Sequence, residues 1–218
     1  MYINASNKLS NEFKKYSIEK IEGGASKKKF YRLKHSNKQY ILTDFSFDKK
    51  EYNNYLTIHN ILKNINISVP QIIEKYDNNL MIISEDFGDL RFDKILQKYP
   101  LNDLLHYAVD TLIILKNSIQ YDSQLSLPQY SFDIFKKEIF ELPKYYFPHV
   151  KLVNKNLNDE FIFIWSEAYK NIQFEFTNVV HKDFNINNLI LIPNNKKHLK
   201  CGVIDFQSAF WGESSWDL

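Results

Sequence analysis

The sequence predicts an α+β protein in which a mostly antiparallel sheet with one helix comes first and a helical part follows. Two observations predict this class. Short alternating runs separated by Gly-Gly and Ser-Asn dominate the beginning of the chain, whereas apolar residues recur every three or four positions later on. The pattern changes near Gly88, so we expect two lobes, residues 1–87 and residues 88–218.

In the first part, one helix is expected among several strands. The predicted strands lie in "YSIEKIEGG", "KKFYRLKHS", "KQYILTDFS", "ISVPQII" and "NLMIISED". Between the third and the fourth, apolar and aromatic residues at helical spacing predict a helix. They are Tyr52, Tyr55, Leu56, His59 and Leu62.

In the second part, three helices and a β-hairpin are expected. A long amphipathic helix is predicted by Leu101, Leu104, Leu105, Ala108, Leu112, Leu115 and Ile119. Two more are predicted by "FDIFKKEIF" and by the series Leu157, Phe161, Ile164 and Ala168. The apolar runs "NLILIP" and "LKCGVID", separated by the polar turn "NNKKH", predict the hairpin.

Composition excludes several classes of protein. The net charge of the 218 residues is only +2, with both signs interspersed, so neither nucleic acid nor an anionic membrane is an expected partner. The N-terminus has no apolar segment typical of a secretory signal, and the apolar runs are too short to span a bilayer. The single cysteine, Cys201, cannot form an internal disulfide and suits a reducing compartment. We therefore expect a soluble cytoplasmic protein.

A polar constellation surrounds the predicted hairpin. "HKDFNINNLI" carries Asp183 and Asn188, and "GVIDFQ" carries Asp205. A hairpin would bring Asn188 beside Asp205, and their oxygens suit Mg²⁺, which takes phosphate oxygens as further ligands. Asp183 would then be placed to accept a proton from an incoming hydroxyl, as in phosphoryl transfer. Singly, His181 could be a core histidine and Asp205 a turn residue, but the joint pattern favours the functional interpretation.

The first part would then hold a nucleotide. The turn in "EGGASKKKFYRL" has bare backbone N–H groups at Gly24 and near Ser26 that could approach phosphates, although a plain hairpin turn is equally consistent. "SEDFGD" joins the two parts where an adenine would lie, although Glu85 and Asp86 could equally be solvated hinge residues.

These residues resemble the aminoglycoside phosphotransferase/choline kinase group of small-molecule kinases over essentially the whole chain. Within the group the chain is most similar to the bacterial cell-wall-recycling kinases of N-acetylmuramate and N-acetylglucosamine. The cues are "ASKKKFYRL", "ISVP", "SEDFGD", "LPQYSFDIFKKEIFELPKYY" and "GVIDFQSAFWGESSWDL". The resemblance implies a protein-kinase-like bilobal fold and an ATP- and Mg²⁺-dependent kinase of a hydroxylated small molecule, most similar to those acting on an amino sugar.

The resemblance also implies site residues. Asp183, as the base, and His181 would be catalytic, and Asn188 and Asp205 would bind Mg²⁺. Gly24 and Ser26 would cover the ATP phosphates, and Glu85 to Phe87 would form the hinge at the nucleotide. Asp217 would brace the catalytic loop.

Two departures from the group stand out. Kinases of this shape usually carry a lysine on the third strand, which pairs nucleotide phosphates with a helix glutamate. Here Thr43 and Asp44 fall at that position, and the helix glutamate Glu51 has no obvious partner in the sequence. The sugar-kinase branch that the chain resembles also lacks this lysine, so its absence favours that branch. One of the lysines at 27–29 could supply the charge, although loop lysines are more often solvated.

The second departure is length: relatives continue past the "WDL" position as helices that complete the acceptor pocket. We therefore expect a fragment, a shortened gene product, or a protein that takes the missing wall from a partner.

Two alternatives remain open at this point. The acceptor could be an aminoglycoside or a choline-like amine, which needs an acidic pocket. The chain could also be a truncated, non-catalytic kinase-like protein that binds nucleotide, as the early end and the missing lysine suggest.

Overall fold

The computed structural model describes residues 13–21, 28–118, 127–152 and 154–218. A five-stranded antiparallel sheet with strand order β1-β2-β3-β5-β4 forms the first part. Its strands are β1 (Ser17–Ile21), β2 (Lys29–His35), β3 (Lys38–Asp44), β4 (Ile72–Tyr76) and β5 (Met81–Glu85). The sequence predicted each of them, except that β4 begins only at Ile72. Ahead of it, Ser68 forms an isolated parallel bridge with Gly202 in the second part.

The predicted helix of the first part is α1 (Lys49–Asn64). It begins at Asp48, whose carboxylate accepts hydrogen bonds from the backbone N–H groups of Lys50 and Glu51, as an N-cap does. Its buried side chains include Tyr55 and His59, which are four positions apart and therefore lie on one face. This face is turned toward the second part of the chain, where it contacts the segment after Asp205.

The helices of the second part match the predicted order. They are α2 (Phe92–Ile95), α3 (Leu101–Ser118), α4 (Phe132–Glu141), α5 (Phe147–His149) and α6 (Lys155–Lys170). A single π-helical turn, Leu142–Tyr146, connects α4 to α5. No helix among the described residues is both long enough and apolar enough to cross a membrane.

Helix α3 buries less of its apolar surface than the sequence predicted. Leu104, Thr111 and Leu115 are buried, but Leu101 and Leu105 are about half exposed. The helix packs from one side on the segment Lys197–Lys200 and on two short strands, Asn178–Val180 and Cys201–Val203, so the buried stripe is narrow. Ile119, the last residue of the predicted stripe, lies outside the described residues.

Two short antiparallel ladders follow the helices. Strand β6 (Asn178–Val180) pairs with β9 (Phe210–Gly212), and β7 (Leu189–Leu191) pairs with β8 (Cys201–Val203). The second ladder is the predicted hairpin, with Leu189 opposite Val203. Its strands share one apolar core with α1, α3 and β5, so burial of hydrophobic surface holds the sheet, the helices and the hairpin together.

Candidate active site

The loop between β6 and β7, residues 181–188, is held by a carboxylate from the far end of the chain. The backbone N–H groups of His181 and Lys182 donate to the two carboxylate oxygens of Asp217 at 2.7 and 2.9 Å. Lys182 has a φ of +80°, a conformation that side-chain-bearing residues seldom adopt without support. The structure therefore confirms that Asp217 braces this loop.

His181 connects the loop to the end of β8. Its side chain is buried, and its Nε2–H donates to the carbonyl of Ile204 at 3.1 Å. Its Nδ1 accepts a hydrogen bond from the backbone N–H of Asp183 at 3.3 Å. Burial lowers the pKa of His181 below its ordinary value, despite nearby carboxylates. A neutral imidazole with its proton on Nε2 satisfies both contacts, so the ring fixes the backbone at Asp183.

Asp183, Asn188 and Asp205 are joined by backbone contacts. The Asn188 side-chain amide donates to the carbonyl of Asp183 at 2.9 Å. The carbonyl of Asn188 accepts a hydrogen bond from the backbone N–H of Ile204, the residue before Asp205, at 3.0 Å. The predicted proximity of Asn188 to the Asp205 segment is thus confirmed. Asp183 is an exposed residue, so a molecule from solvent can reach its side chain.

Asp205 is the second residue after β8 and has a left-handed backbone conformation, with a φ of +63°. Aspartate tolerates this region better than most side-chain-bearing residues. Gln207 Nε2 donates to Oδ1 at 2.9 Å, and Lys28 contacts the same oxygen. Burial alone would raise the pKa of Asp205, but these two partners outweigh it and lower the pKa, so the group is a carboxylate at neutral pH.

Lys28 is one of the three lysines among which the sequence did not choose. Only 5% of it is exposed, and its ammonium lies between Asp205 and Glu51 of α1, with 3.3 Å between Nζ and Glu51 Oε1. We call Lys28, Glu51 and Asp205 the buried charge cluster. Its members are far apart in sequence, with 177 positions between Lys28 and Asp205, so no local pattern could have selected this lysine.

The neighbouring candidates stand differently. Lys29 is exposed, and Lys27 lies outside the described residues, as do Gly24 and Ser26 of the predicted phosphate turn. Glu51, which had no evident partner in the sequence, has one in Lys28.

Helix α1 also packs on the residue after Asp205. The Tyr55 ring stacks on Phe206 with 4.7 Å between centroids, and His59 lies 6.3 Å from the same ring. Glu51, Tyr55 and His59 follow each other at four-residue spacing, so one helix face carries both the ion pair and the aromatic contacts. The position of α1 therefore determines the position of Asp205.

At the predicted hinge, Phe87 lies against the hairpin. A Cβ at Gly202 would come within 2.7 Å of the Phe87 ring, so the absence of a side chain there is what lets the ring approach β8. Glu85 is exposed at the end of β5, and its carboxylate accepts a hydrogen bond from the backbone N–H of Gln71 at 3.2 Å. The hinge thus runs past the hairpin that carries Asn188 and Asp205.

A charged contact that sequence reasoning missed ties this hinge to the sheet. Arg32 of β2 donates to Asp86 at 2.6 Å through Nε and to Asp89 at 2.8 Å. Asp86 also accepts a hydrogen bond at 2.8 Å from the backbone N–H of Gly88, whose φ is +83°. The Arg32 guanidinium lowers the pKa of Asp89 below its ordinary value. The Asp86 carboxylate, which binds both Arg32 and the Gly88 N–H, therefore stabilises the turn at Gly88.

The donor set at the hairpin fits a hard divalent cation. No group of three or more His, Cys, Asp or Glu side chains that could hold a metal occurs among the described residues. Asn188 and Asp205 would supply two oxygen ligands. That number suits Mg²⁺, which keeps several waters and takes phosphate oxygens. Asp205 is an ionised carboxylate, which is the form that binds a cation, and its Oδ1 is the oxygen that Lys28 and Gln207 contact.

Solved structures share this architecture. The aminoglycoside phosphotransferase APH(2'')-IIa, in its ternary complex with streptomycin and ATP, aligns with a TM-score of 0.65 and 17% identity over 99% of this chain and 75% of that one. The ADP-bound APH(2'')-Ib gives 0.65 and 17% over 96% and 72%. The choline kinase LicA from Streptococcus pneumoniae gives 0.66 and 15% over 96% and 70%. This chain has their bilobal, kinase-like fold.

The similarity is one of fold, since identity stays below a fifth. No protein-family model and no curated protein sequence matches the chain. Function must therefore be argued from the site itself.

Proposed function

We propose that this chain is a nucleotide- and Mg²⁺-dependent phosphotransferase that phosphorylates a hydroxyl group of a small molecule. The observation that carries the proposal is the linkage of Asp183, Asn188 and the Asp205 segment through hydrogen bonds of one loop and one hairpin. Phosphoryl transfer needs this combination: a group that orients the nucleophile, next to oxygen ligands for the ion that neutralises the phosphates.

In this proposal each residue has a separate part. Asp183, which is exposed, accepts or orients the proton of the acceptor hydroxyl. Asn188 and Asp205 would hold Mg²⁺, which neutralises charge on the nucleotide phosphates when bound. Asp217 fixes the loop backbone from behind. The contribution of the protein is mainly positioning, since the transferred group needs no covalent partner on the enzyme.

We assign His181 a positioning part. Its two ring nitrogens bond to backbone groups of the loop and of Ile204, and the side chain is only slightly exposed. It keeps Asp183 in place without touching the acceptor.

We propose ATP as the nucleotide. The backbone of Glu85 to Phe87 would contact the base, and the segment that holds Gly24 and Ser26 would cover the phosphates. Supporting this location, Phe87 packs on Gly202 in the strand that leads to Asp205, which puts the hinge and the metal ligands on neighbouring segments. The related fold of APH(2'')-IIa was solved with ATP.

For the acceptor we propose an amino sugar of the N-acetylmuramate or N-acetylglucosamine type, phosphorylated at its anomeric hydroxyl. The support is the resemblance of "GVIDFQSAFWGESSWDL" and the other segments quoted above to the recycling sugar kinases. An aminoglycoside or a choline-like amine is the second candidate, because the solved structures of similar fold include streptomycin and gentamicin complexes and a choline kinase.

Calorimetric titration of ATP, with and without Mg²⁺, tests the nucleotide part. We expect Mg²⁺-dependent binding in the wild-type chain that Asp205→Ala abolishes, because the variant lacks the carboxylate ligand. Asp110→Ala, on the exposed side of α3, is the matched control and should bind like the wild type. A folded wild-type chain that binds no ATP at any Mg²⁺ concentration contradicts the proposal.

A panel of acceptors then tests the reaction. Release of ADP is measured with N-acetylmuramate, N-acetylglucosamine, streptomycin, gentamicin and choline, and ³¹P NMR identifies the phosphorylated product. Turnover with the two acetylated sugars alone supports the amino-sugar assignment. Turnover only with the cationic acceptors overturns that assignment but keeps the phosphotransferase.

A further inference from the structure

We propose that Lys28, the residue immediately before β2, is the lysine that contacts the nucleotide phosphates in this chain. It replaces the third-strand lysine whose position is taken by Thr43. The inference rests on the proposed phosphotransferase function and adds to it a residue at a different place in the sheet.

The first argument is burial and pairing. Lysine is almost never fully buried unless it is paired, and the Lys28 side chain is 2% exposed. Its partners come from two other elements, Glu51 from α1 and Asp205 from the end of β8. Lys28 thus connects the sheet, the helix and the candidate metal ligand at one point. A lysine in a surface loop would instead be solvated.

The second argument is strand geometry. Phe30 of β2 pairs directly with Thr43 of β3, so these two side chains lie on the same face of the sheet. Lys28 is two positions before Phe30, and its Nζ lies 5.8 Å from the centre of the Phe30 ring, which puts it on that face as well. A long side chain from the residue before β2 therefore reaches the region that a lysine at position 43 would reach.

The third argument is the balance of charge. The buried charge cluster has two carboxylates and one ammonium. Glu51 can hold Lys28 in place while Asp205 is engaged with a metal ion. The ammonium then faces the phosphates that share that ion. This is the same pairing of a lysine with a helix glutamate that kinases of this shape use, built with a lysine from the neighbouring strand.

The test separates phosphate binding from base binding. Binding of Mg²⁺·ATP is measured by calorimetry, and binding of adenosine by ligand-detected NMR, for the wild type, Lys28→Met and Lys29→Met. Lys29→Met is the matched control, since it removes the same charge from the next, exposed position. We expect Lys28→Met to weaken Mg²⁺·ATP binding by about ten- to a hundredfold, the loss typical of a charge-assisted hydrogen bond. Adenosine binding should be unchanged in both variants.

A second variant covers the case in which Lys28→Met does not fold. Lys28→Met leaves Glu51 and Asp205 without their cation, which destabilises the fold. If circular dichroism shows that it is unfolded, Lys28→Met/Glu51→Gln, which removes one of the two carboxylates, is judged by the same criterion.

Transplanting the lysine tests the geometry itself. Lys28→Met/Thr43→Lys moves the charge to the adjacent strand on the same face, and we expect it to regain at least part of the lost Mg²⁺·ATP affinity.

The two proposals fail in different ways. A wild-type chain without Mg²⁺·ATP binding overturns the phosphotransferase proposal, and the Lys28 assignment with it. A wild type that binds, together with a folded Lys28→Met that binds equally well, overturns the Lys28 assignment alone. An equal loss of ATP and adenosine binding would also overturn it, because Lys28 would then only stabilise the fold.

Discussion

Lys28 and Lys182 each pair with a glutamate, and they do so in different surroundings. Lys28 is buried between Glu51 and Asp205, with 2% of its side chain exposed. Lys182, the residue before Asp183, donates to Glu138 of α4 at 2.9 Å, with 34% of each side chain exposed. Removing one partner of a buried pair leaves an uncompensated charge, whereas an exposed pair contributes little.

The contrast indicates how the candidate site is built. On the side of Lys28, side chains from the sheet, α1 and the hairpin fix one another, so the proposed phosphate region is preorganised before any ligand arrives. On the side of Lys182, the loop is fixed through its backbone by Asp217, while Lys182 is partly exposed and Asp183 is exposed. Rigid support below an open surface suits a site that must hold a nucleotide and admit an acceptor.

The largest expected effect is a loss of turnover, without a loss of nucleotide binding, when Asp183 is replaced. Asp183→Asn should lower kcat by about a hundred- to ten-thousandfold, the usual contribution of a general base. The Kd for Mg²⁺·ATP should stay within about twofold, because the buried charge cluster is untouched. Steady-state kinetics with the best acceptor of the panel, together with calorimetry, measure both quantities.

Asp110→Asn is the control for Asp183→Asn, since it makes the same change on an exposed part of α3. Turnover of Asp183→Asn at the wild-type rate would remove Asp183 from the chemistry. A parallel loss of ATP affinity would mean that the two sides are not independent.

A smaller effect is expected where the loop backbone is fixed. Asp217→Ala removes the acceptor of two backbone N–H groups, and we expect a loss of about 2 kcal/mol in the free energy of unfolding. For a chain of this size that lowers Tm by about 6 °C. Thermal melting followed by circular dichroism measures it. Ser215→Ala, a neighbouring exposed position, should melt with the wild type. An Asp217→Ala variant as stable as the wild type would mean that the loop is fixed by other contacts.

Much of this arrangement was accessible from the sequence because its signals are local. Alternation marked β1, β2, β3 and β5, and two apolar runs around a polar turn marked the hairpin that brings Asn188 to the Asp205 segment. The Asp217 brace came from the resemblance, and the structure confirms the contact. The predicted strand boundaries were less accurate where tertiary contacts determine them. At β4, for example, Ser68 bridges Gly202 instead of extending the strand.

The buried charge cluster could not be predicted in the same way. Three consecutive lysines at 27–29 are equivalent in the sequence, and only the strand face, set by pairing with β3, distinguishes Lys28. The contact of Arg32 with Asp86 likewise joins residues 54 positions apart. For α3, the apolar pattern predicted a broad buried stripe. Burial depends on what packs against the helix, and Leu101 and Leu105 remain about half exposed.

The smallest expected effect tests the exposed half of the comparison. Lys182→Met should change the free energy of unfolding by less than about 1 kcal/mol, since the pair with Glu138 is partly solvated and its attraction is screened. The same measurement at low and at high salt checks the cause: any difference from the wild type should shrink as salt rises. Glu138→Ala should cost more than Lys182→Met, because Glu138 also accepts a hydrogen bond from the Tyr130 hydroxyl at 2.7 Å. If Lys182→Met instead unfolded the chain at every salt concentration, the loop would depend on this ion pair. The backbone bonds to Asp217 would then be too weak to hold the φ of +80° at Lys182 by themselves.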